Sequence, residues 1–325
     1  MDRTGNVITG KALCYSNRLG LRTSGRILKH VLVVFVVAFL ANSGYAAEPR
    51  SDILVTPDWL AEHLDDESLV VVQLADVELD YMRGHIPGAR FLWPGWLEKS
   101  SPDKSVELYP VARMDSVLES LGISDSSQIV LCHTYTTLSA ACVARAWVMF
   151  DYLGMGDRTK ILDGGFEAWN AMGMPVTKEV PKHTPGTFTP KIKEDVFVDL
   201  EYVKARVGEQ GIRLVDTRRS VDYRGHVRGV VRAGHIPGAV HLPYATIIDK
   251  TRRYAPVDTL GVRFAKAGIK PGDEIISYCY KGRSACFAYI AGRMLGYDVH
   301  VYDGSSEEWC GREDLPVEVS EVEQR

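Results

Sequence analysis

The sequence predicts an α/β protein of two tandem domains, each a parallel sheet with helices on both faces, and three observations carry that expectation. A segment of the first half returns in the second: Arg83-Gly84-His85-Ile86-Pro87-Gly88-Ala89 matches Ala233-Gly234-His235-Ile236-Pro237-Gly238-Ala239, which marks an internal repeat. Within each half, short apolar β-rich runs alternate with stretches of helical periodicity, the pattern of parallel strands joined by crossover helices. Between the halves, residues 177–195 hold Pro181, Pro185, Gly186 and Pro190 among lysines and threonines without apolar periodicity, the composition of a linker.

Taken in order, residues 1–46 read as an export signal. Arg18, Arg22, Arg26, Lys29 and His30 precede the apolar run 31–41, and Gly44-Tyr45-Ala46 offers small residues at the two positions a signal peptidase reads. The run is short for a membrane span, which needs roughly twenty residues; an uncleaved anchor is the alternative. The mature chain is expected to be exported, to the periplasm. The first domain is assigned to 47–178. There Thr56 is an N-cap with Pro57 at the first helical position, opening a helix over 57–64. Residues 69–74 and 128–131 read as buried strands and 138–153 as a helix ending at Leu153-Gly154. The linker is assigned to 179–194 and the second domain to 195–325. Leu162-Asp163-Gly164-Gly165 before Trp169 is echoed by Tyr302-Asp303-Gly304-Ser305 before Trp309. Offsets between the copies run from 150 (233 − 83) to 140 (303 − 163), so the order of parts is kept and only loop lengths differ.

The second half carries the chemistry. Residues 274–278 read as a short buried strand and 284–295 as a helix that stops at Gly296. Between them stands Cys279-Tyr280-Lys281-Gly282-Arg283-Ser284. A small loop centred on Gly282 can turn its N–H groups inward, and the positive end of the following helix adds to their field. Both favour an anion, the Cys279 thiolate, with Lys281 and Arg283 assisting. An inert buried cysteine is the plain reading, but it needs neither a glycine turn nor two cations beside it. A cysteine-dependent phosphatase would carry an arginine six positions on to clamp phosphate, and that position is Ala285. The shorter loop suits a smaller target such as a sulfur atom. Ser284 is either a hydroxyl donor to the site or the N-cap of the next helix.

With 46% hydrophobic and 25% charged residues the chain has an ordinary globular composition, and its net charge of −4 argues against a nucleic-acid surface. Cys132, Cys142, Cys279, Cys286 and Cys310 follow the signal, and an odd number in an exported chain leaves a free thiol, assigned to Cys279. A disulfide from Cys286 to Cys279 is sterically unfavourable. Histidines and cysteines lack zinc-ligand spacing, so neither metal nor cofactor is expected.

These residues resemble the rhodanese family, specifically its tandem two-domain sulfurtransferases. The likeness rests on Tyr81 to Ala89 with its Gly-His-Ile-Pro-Gly-Ala core, on the same core at 234–239, on Tyr302-Asp303-Gly304 with Trp309, and on the loop at Cys279. Ser306 departs from it, standing where the family usually has an aromatic residue; a local packing change is expected. The resemblance implies that the second domain is catalytic and the first a degenerate partner. Aligned strands put His133 where Cys279 stands, and the loop after it has neither glycine nor cation. Cys132 is therefore read as structural, and His133 as structural or as lining an interdomain cleft.

By that resemblance, Cys279 carries a persulfide between a small-molecule sulfur donor and an acceptor, the loop residues Tyr280, Gly282 and Ser284 form the cradle, and Lys281, Arg283 and Arg218 bind the donor. Lys281 keeps a cation of the thiosulfate-type loop, and Asp216-Thr217-Arg218 matches the family's Asp-x-Arg. Mercaptopyruvate enzymes usually have a further arginine four positions after that one, where this chain has Asp222. Arg219, Arg224, Arg228 and Arg232 lie nearby. Thiosulfate is the expected donor. A mercaptopyruvate sulfurtransferase and a sulfur-relay protein serving a thiol-bearing protein partner are the alternatives. The chain is expected to act as a monomer.

Overall fold

In the computed structural model, residues 49–101, 104–226 and 232–320 are described; the expected signal over 1–46 lies outside them. The first half contributes β1 (Leu54–Val55), α1 (Pro57–His63), β2 (Leu69–Leu74), α2 (Glu78–Arg83) and β3 (Arg90–Leu92). A hairpin of β4 (Glu98–Lys99) and β5 (Glu107–Leu108) follows, then α3 (Val111–Ser120), β6 (Gln128–His133), α4 (Thr137–Tyr152), β7 (Thr159–Leu162) and α5 (Gly165–Ala171). The second half contributes β8 (Phe197–Val198), α6 (Leu200–Arg206), β9 (Ile212–Asp216), α7 (Ser220–Tyr223) and β10 (Val240–His241). It closes with α8 (Val257–Lys266), β11 (Glu274–Tyr278), α9 (Ala285–Leu295), β12 (Asp298–Tyr302) and α10 (Ser305–Gly311).

The repeat read in the sequence is a repeat of topology. The first sheet runs β1-β7-β6-β2-β3 and the second β8-β12-β11-β9-β10, all pairs parallel, so each strand has its counterpart at the same place. Alternate side chains go to opposite faces. Val70, Val72 and Leu74 of β2 enter one core, and Val71 enters another with Leu60, Phe166 and Trp169. In the second sheet Ile275 and Val299 face one side, while Ile276, Tyr278 and Tyr302 face Val203 and Trp309 on the other. Helices therefore cover both faces, as the apolar runs required.

The repeated turn has a physical cause. Tyr81 and Tyr223 donate their hydroxyls to the carbonyls of Ala89 and Ala239 at 2.7 Å, each stacked on the turn's histidine at 3.8 and 3.9 Å. Gly88 and Gly238 take φ of 75° and 73°, which favours glycine.

The linker is a strap fixed to the first domain. Phe188 is buried, Gly186 N–H donates to Glu119 O, and the N–H groups of Lys191 and Lys193 donate to Leu153 and Tyr152 carbonyls. The two domains meet through α4 and α9, and Trp147, Phe150, Phe287 and Tyr289 belong to one continuous core. No helix among the described residues is long and apolar enough to cross a membrane.

Candidate active site

Cys279 follows β11, the central strand of the second sheet, just outside the carboxyl ends of the strands where open α/β sheets hold ligands. It lines a cavity of ≈ 660 Å³ and is 3% exposed. The loop turns at Gly282, whose φ is 77°; a Cβ there would lie 2.8 Å from Arg145 Nη1 and 3.0 Å from Asp303 O. The N–H groups of residues 280–284 donate to no described residue, so a set of backbone donors stands unengaged beside the thiol. That is the composition of an anion cradle.

The start of α10 supports the loop from beneath. Cys279 N–H donates to Ser305 Oγ at 3.2 Å, and that hydroxyl donates to Tyr302 O at 2.9 Å. Ser306 and Glu307 N–H groups donate to the carbonyls of Cys279 and Tyr280, both at 3.0 Å. Ser305 holds a φ of 52°, an unusual conformation for a residue with a Cβ. Ser306 is buried and lines the cavity, where a small side chain leaves room that an aromatic ring would fill.

The three expected donor-binding cations all line the cavity, but they are not equally available. Arg218 forks onto Asp216 at 2.6 to 3.1 Å and donates to Gly234 O at 2.7 Å. Arg283 is paired with buried Glu98 of β4. For Lys281, 39% exposed at its side chain, the one ion-pair partner among the described residues is Glu307 at 4.0 Å. Among the nearby arginines, Arg219 is bound to Asp222 at 2.8 Å and Arg232 donates to the carbonyls of Arg312 and Leu315; Arg228 lies outside the described residues. Tyr280 is half exposed at the rim, its ring 5.6 Å from Lys281 Nζ. Ser284 occupies the N-cap position of α9, but its side chain makes no capping hydrogen bond there. Its side chain lines the cavity.

The other thiols sit in different surroundings. All five described cysteines are unpaired. Cys286 is fully buried, and burial pushes its thiol up; it donates to Gly282 O at 3.2 Å. Cys132 is likewise buried, its thiol pushed up first by burial and then by Glu167, the environment of an inert cysteine. His133 is buried beside Glu167, Nδ1 to Oε2 3.6 Å, in a small hollow also lined by Arg252 and Tyr254. Among the described residues no three His, Cys, Asp or Glu gather as a metal site.

Sequence reasoning did not single out Arg145, Glu98 or Ser305. Arg145 carried a signal, a lone charge in the apolar stretch 140–150. Ser305 stood in the quoted echo Tyr302-Asp303-Gly304-Ser305, whose partner is Gly165.

Comparison with known proteins agrees with this geometry. The sequence profile described as "Rhodanese-like domain" matches residues 56–172 and 199–312. The chain is 30% identical over 289 residues to the "Sulfur carrier protein TtuD" of Thermus thermophilus, covering 84% of this chain and 98% of that protein. It is 31% identical to a "Probable 3-mercaptopyruvate sulfurtransferase" of Pseudomonas aeruginosa, with 81% and 97% coverage. It is 28% identical to the "Thiosulfate sulfurtransferase" of Azotobacter vinelandii, with 82% and 97%. Among solved structures, the anaerobic ergothioneine biosynthesis enzyme of Chlorobium limicola superposes with a TM-score of 0.74 at 24% identity, over 83% of this chain and 71% of that one. That last likeness is one of fold.

Proposed function

Because the chain belongs to the rhodanese family and is an enzyme of the sulfurtransferase type, we propose that it moves a sulfane sulfur from thiosulfate to a thiophilic acceptor through a persulfide on Cys279. The observation that carries this reading is a cavity-lining thiol followed directly by residues 280–284, whose N–H groups donate to no described residue. Cys279 thiolate attacks the outer sulfur of thiosulfate, the S–S bond breaks, and sulfite leaves with the electron pair. The cradle then stabilises the terminal sulfur of the persulfide as an oxyanion hole stabilises oxygen. Cyanide or a thiolate attacks that sulfur and returns Cys279 to thiolate. Thiosulfate is favoured over mercaptopyruvate because Lys281 is the least committed of the three expected donor-binding cations, while Arg218 is held by Asp216 and Arg219 by Asp222.

Intact mass before and after thiosulfate, with a Cys279→Ser control, tests the reading. A gain of about 32 daltons, one sulfur, that requires Cys279 is expected. No gain on a reduced thiol would reject thiosulfate as donor. A second reading, transfer to a protein thiol, draws on the cavity of ≈ 660 Å³, far larger than a thiosulfate ion, and on the relative called a sulfur carrier protein. Faster discharge of the persulfide by a reduced protein thiol than by cyanide would favour it. We also propose that residues 1–46 direct export. Cleavage after residue 46 would be read as a mature N-terminus at residue 47.

A further inference from the structure

Arg145 interrupts an apolar stretch of α4 and its side chain is 1% exposed. A guanidinium is retained in such a place only when paired and hydrogen-bonded, so its partners define its task. Nε lies 3.1 Å from Glu98 Oε2 in its own domain. The other two partners belong to the second domain: Nη2 donates to Asp303 Oδ1 at 2.6 Å and Nη1 donates to the carbonyl of Gly282 at 3.2 Å.

We propose that Arg145 of the first domain is a positioning residue for the second domain's active loop, holding the Gly282 carbonyl away from Cys279 so that the loop's N–H groups face the sulfur. The inference rests on Cys279 being the nucleophile. A trans peptide is planar, with its N–H opposite its C=O. With the Gly282 carbonyl drawn to Arg145, the N–H of Arg283 is turned to the opposite side of that peptide. Asp303 leads into the turn whose Ser305 hydroxyl accepts from Cys279 N–H. One guanidinium thus fixes both the loop and the turn beneath it.

The internal repeat supplies a comparison. Arg145 stands eight residues before Leu153 (153 − 145) and Phe287 eight before Leu295 (295 − 287), each counted from the leucine of the matching Leu-Gly pairs 153–154 and 295–296. Phe287 lines the hollow at His133, where the first domain's loop has no thiol, and also the cavity at Cys279. The fold repeats the position but not the arginine; the loop without a thiol is bonded instead by Arg252 of the second domain, which donates to the Tyr135 carbonyl at 2.9 Å, so what sets Arg145 apart is its hold on the glycine carbonyl inside the cysteine's own loop. Charge agrees as well. Arg145 and Arg283 balance Glu98 and Asp303, so removing Arg145 leaves an excess carboxylate near the thiolate.

Arg145→Lys keeps the buried charge but not the fork, and Arg145→Gln removes both. Tm and circular dichroism identify folded variants, and the lysine variant serves if the glutamine one does not fold. The rate of Cys279 alkylation by iodoacetamide, located by peptide mass, is expected to fall about tenfold in Arg145→Lys and further in Arg145→Gln, as loss of a charge-assisted hydrogen bond allows. For thiosulfate, kcat should fall with KM within about twofold. A folded lysine variant whose Cys279 reacts at the wild-type rate overturns the proposal. Alkylation needs no sulfur donor, so a wild-type protein that takes no sulfur from thiosulfate would sink the donor assignment and leave this test intact.

Discussion

Ser305 and Gly165 hold matching turns in the two halves, both in the left-handed region at φ 52° and 61°. Glycine adopts it without strain, and serine does so at a cost of about 1–2 kcal/mol. In the second domain that residue supplies the hydroxyl under Cys279 N–H; in the first, a Cβ would run into the His133 ring at 2.3 Å. Such strain is not confined to the proposed site, since Tyr135 of the first domain's loop and Arg252, which donates to its carbonyl, also hold positive φ, at 50° and 65°. Lys281 is the residue whose change should separate binding from turnover. Among the described residues its ammonium meets just a 4.0 Å pair to Glu307 and the Tyr280 ring at 5.6 Å, so Lys281→Ala should raise the KM for thiosulfate about tenfold or more while kcat changes little. An unchanged KM removes Lys281 from the donor site. His133 makes a prediction of a different kind. Burial, and then Arg252, lowers its pKa to about 3, below the ordinary value of about 6.5 for an unfolded chain. Between those values the unfolded chain binds a proton that the native protein refuses, so this contribution to stability is present above pH ~6.5 and is lost as pH falls toward ~3. In urea titrations, the stability advantage of wild type over His133→Gln should shrink from pH 7.5 to pH 4.5, by up to about 1.4 kcal/mol per pH unit. A difference that stays constant with pH would reject it.

Helix starts show how far local sequence carries information. Thr56 accepts from Trp59 N–H at 3.2 Å with Pro57 at the first helical position, as the sequence implied, because both partners lie within one turn. Ser284 looks similar in sequence, yet it sits in helical backbone conformation at φ −71° and ψ −16° and caps nothing. Thr56→Ala should therefore cost about 1 kcal/mol of stability, and Ser284→Ala less than about 0.5, with both read by urea unfolding. Equal losses would restore the N-cap reading of Ser284. The long apolar runs were legible for the same reason as Thr56: strands 69–74 and 274–278 stand where periodicity put them. The two-residue strands β1 and β8 and the four-residue α7 were not, since their identity comes from partners far along the chain. Arg145 belongs to that second group, with its bonded partner Asp303 158 residues away.

The two sequence-level domains share one interior. The core that contains Trp147 and Phe150 of α4 continues through Phe287, Tyr289 and Met294 of α9. Asp151 accepts from Tyr289 at 2.8 Å and from Lys193 of the strap at 2.7 Å. Separating the halves would expose that apolar face, part Asp303 from Arg145 and take the Tyr289 hydroxyl from Asp151, which keeps Lys193, and breaking such a buried ion pair is strongly destabilising. The first domain is thus a structural half of one folded unit, which gives a physical reason for a chain to keep a domain whose own loop lacks a thiol. Unfolding should then be a single transition in spite of two sheets. The probes exist in the sequence: five of the six tryptophans, Trp59, Trp93, Trp96, Trp147 and Trp169, lie in the first half and report it by fluorescence once Trp309 of the second half is replaced by phenylalanine, and Cys286, fully buried in α9, reports the second by pulsed alkylation. Their urea midpoints should coincide, with an m-value suited to the whole chain. Residues 195–325 expressed alone should be insoluble or take up no sulfur. Two separated midpoints, or a soluble and active second half, would show that the shared core is dispensable and would return the first domain to the status of an appendage.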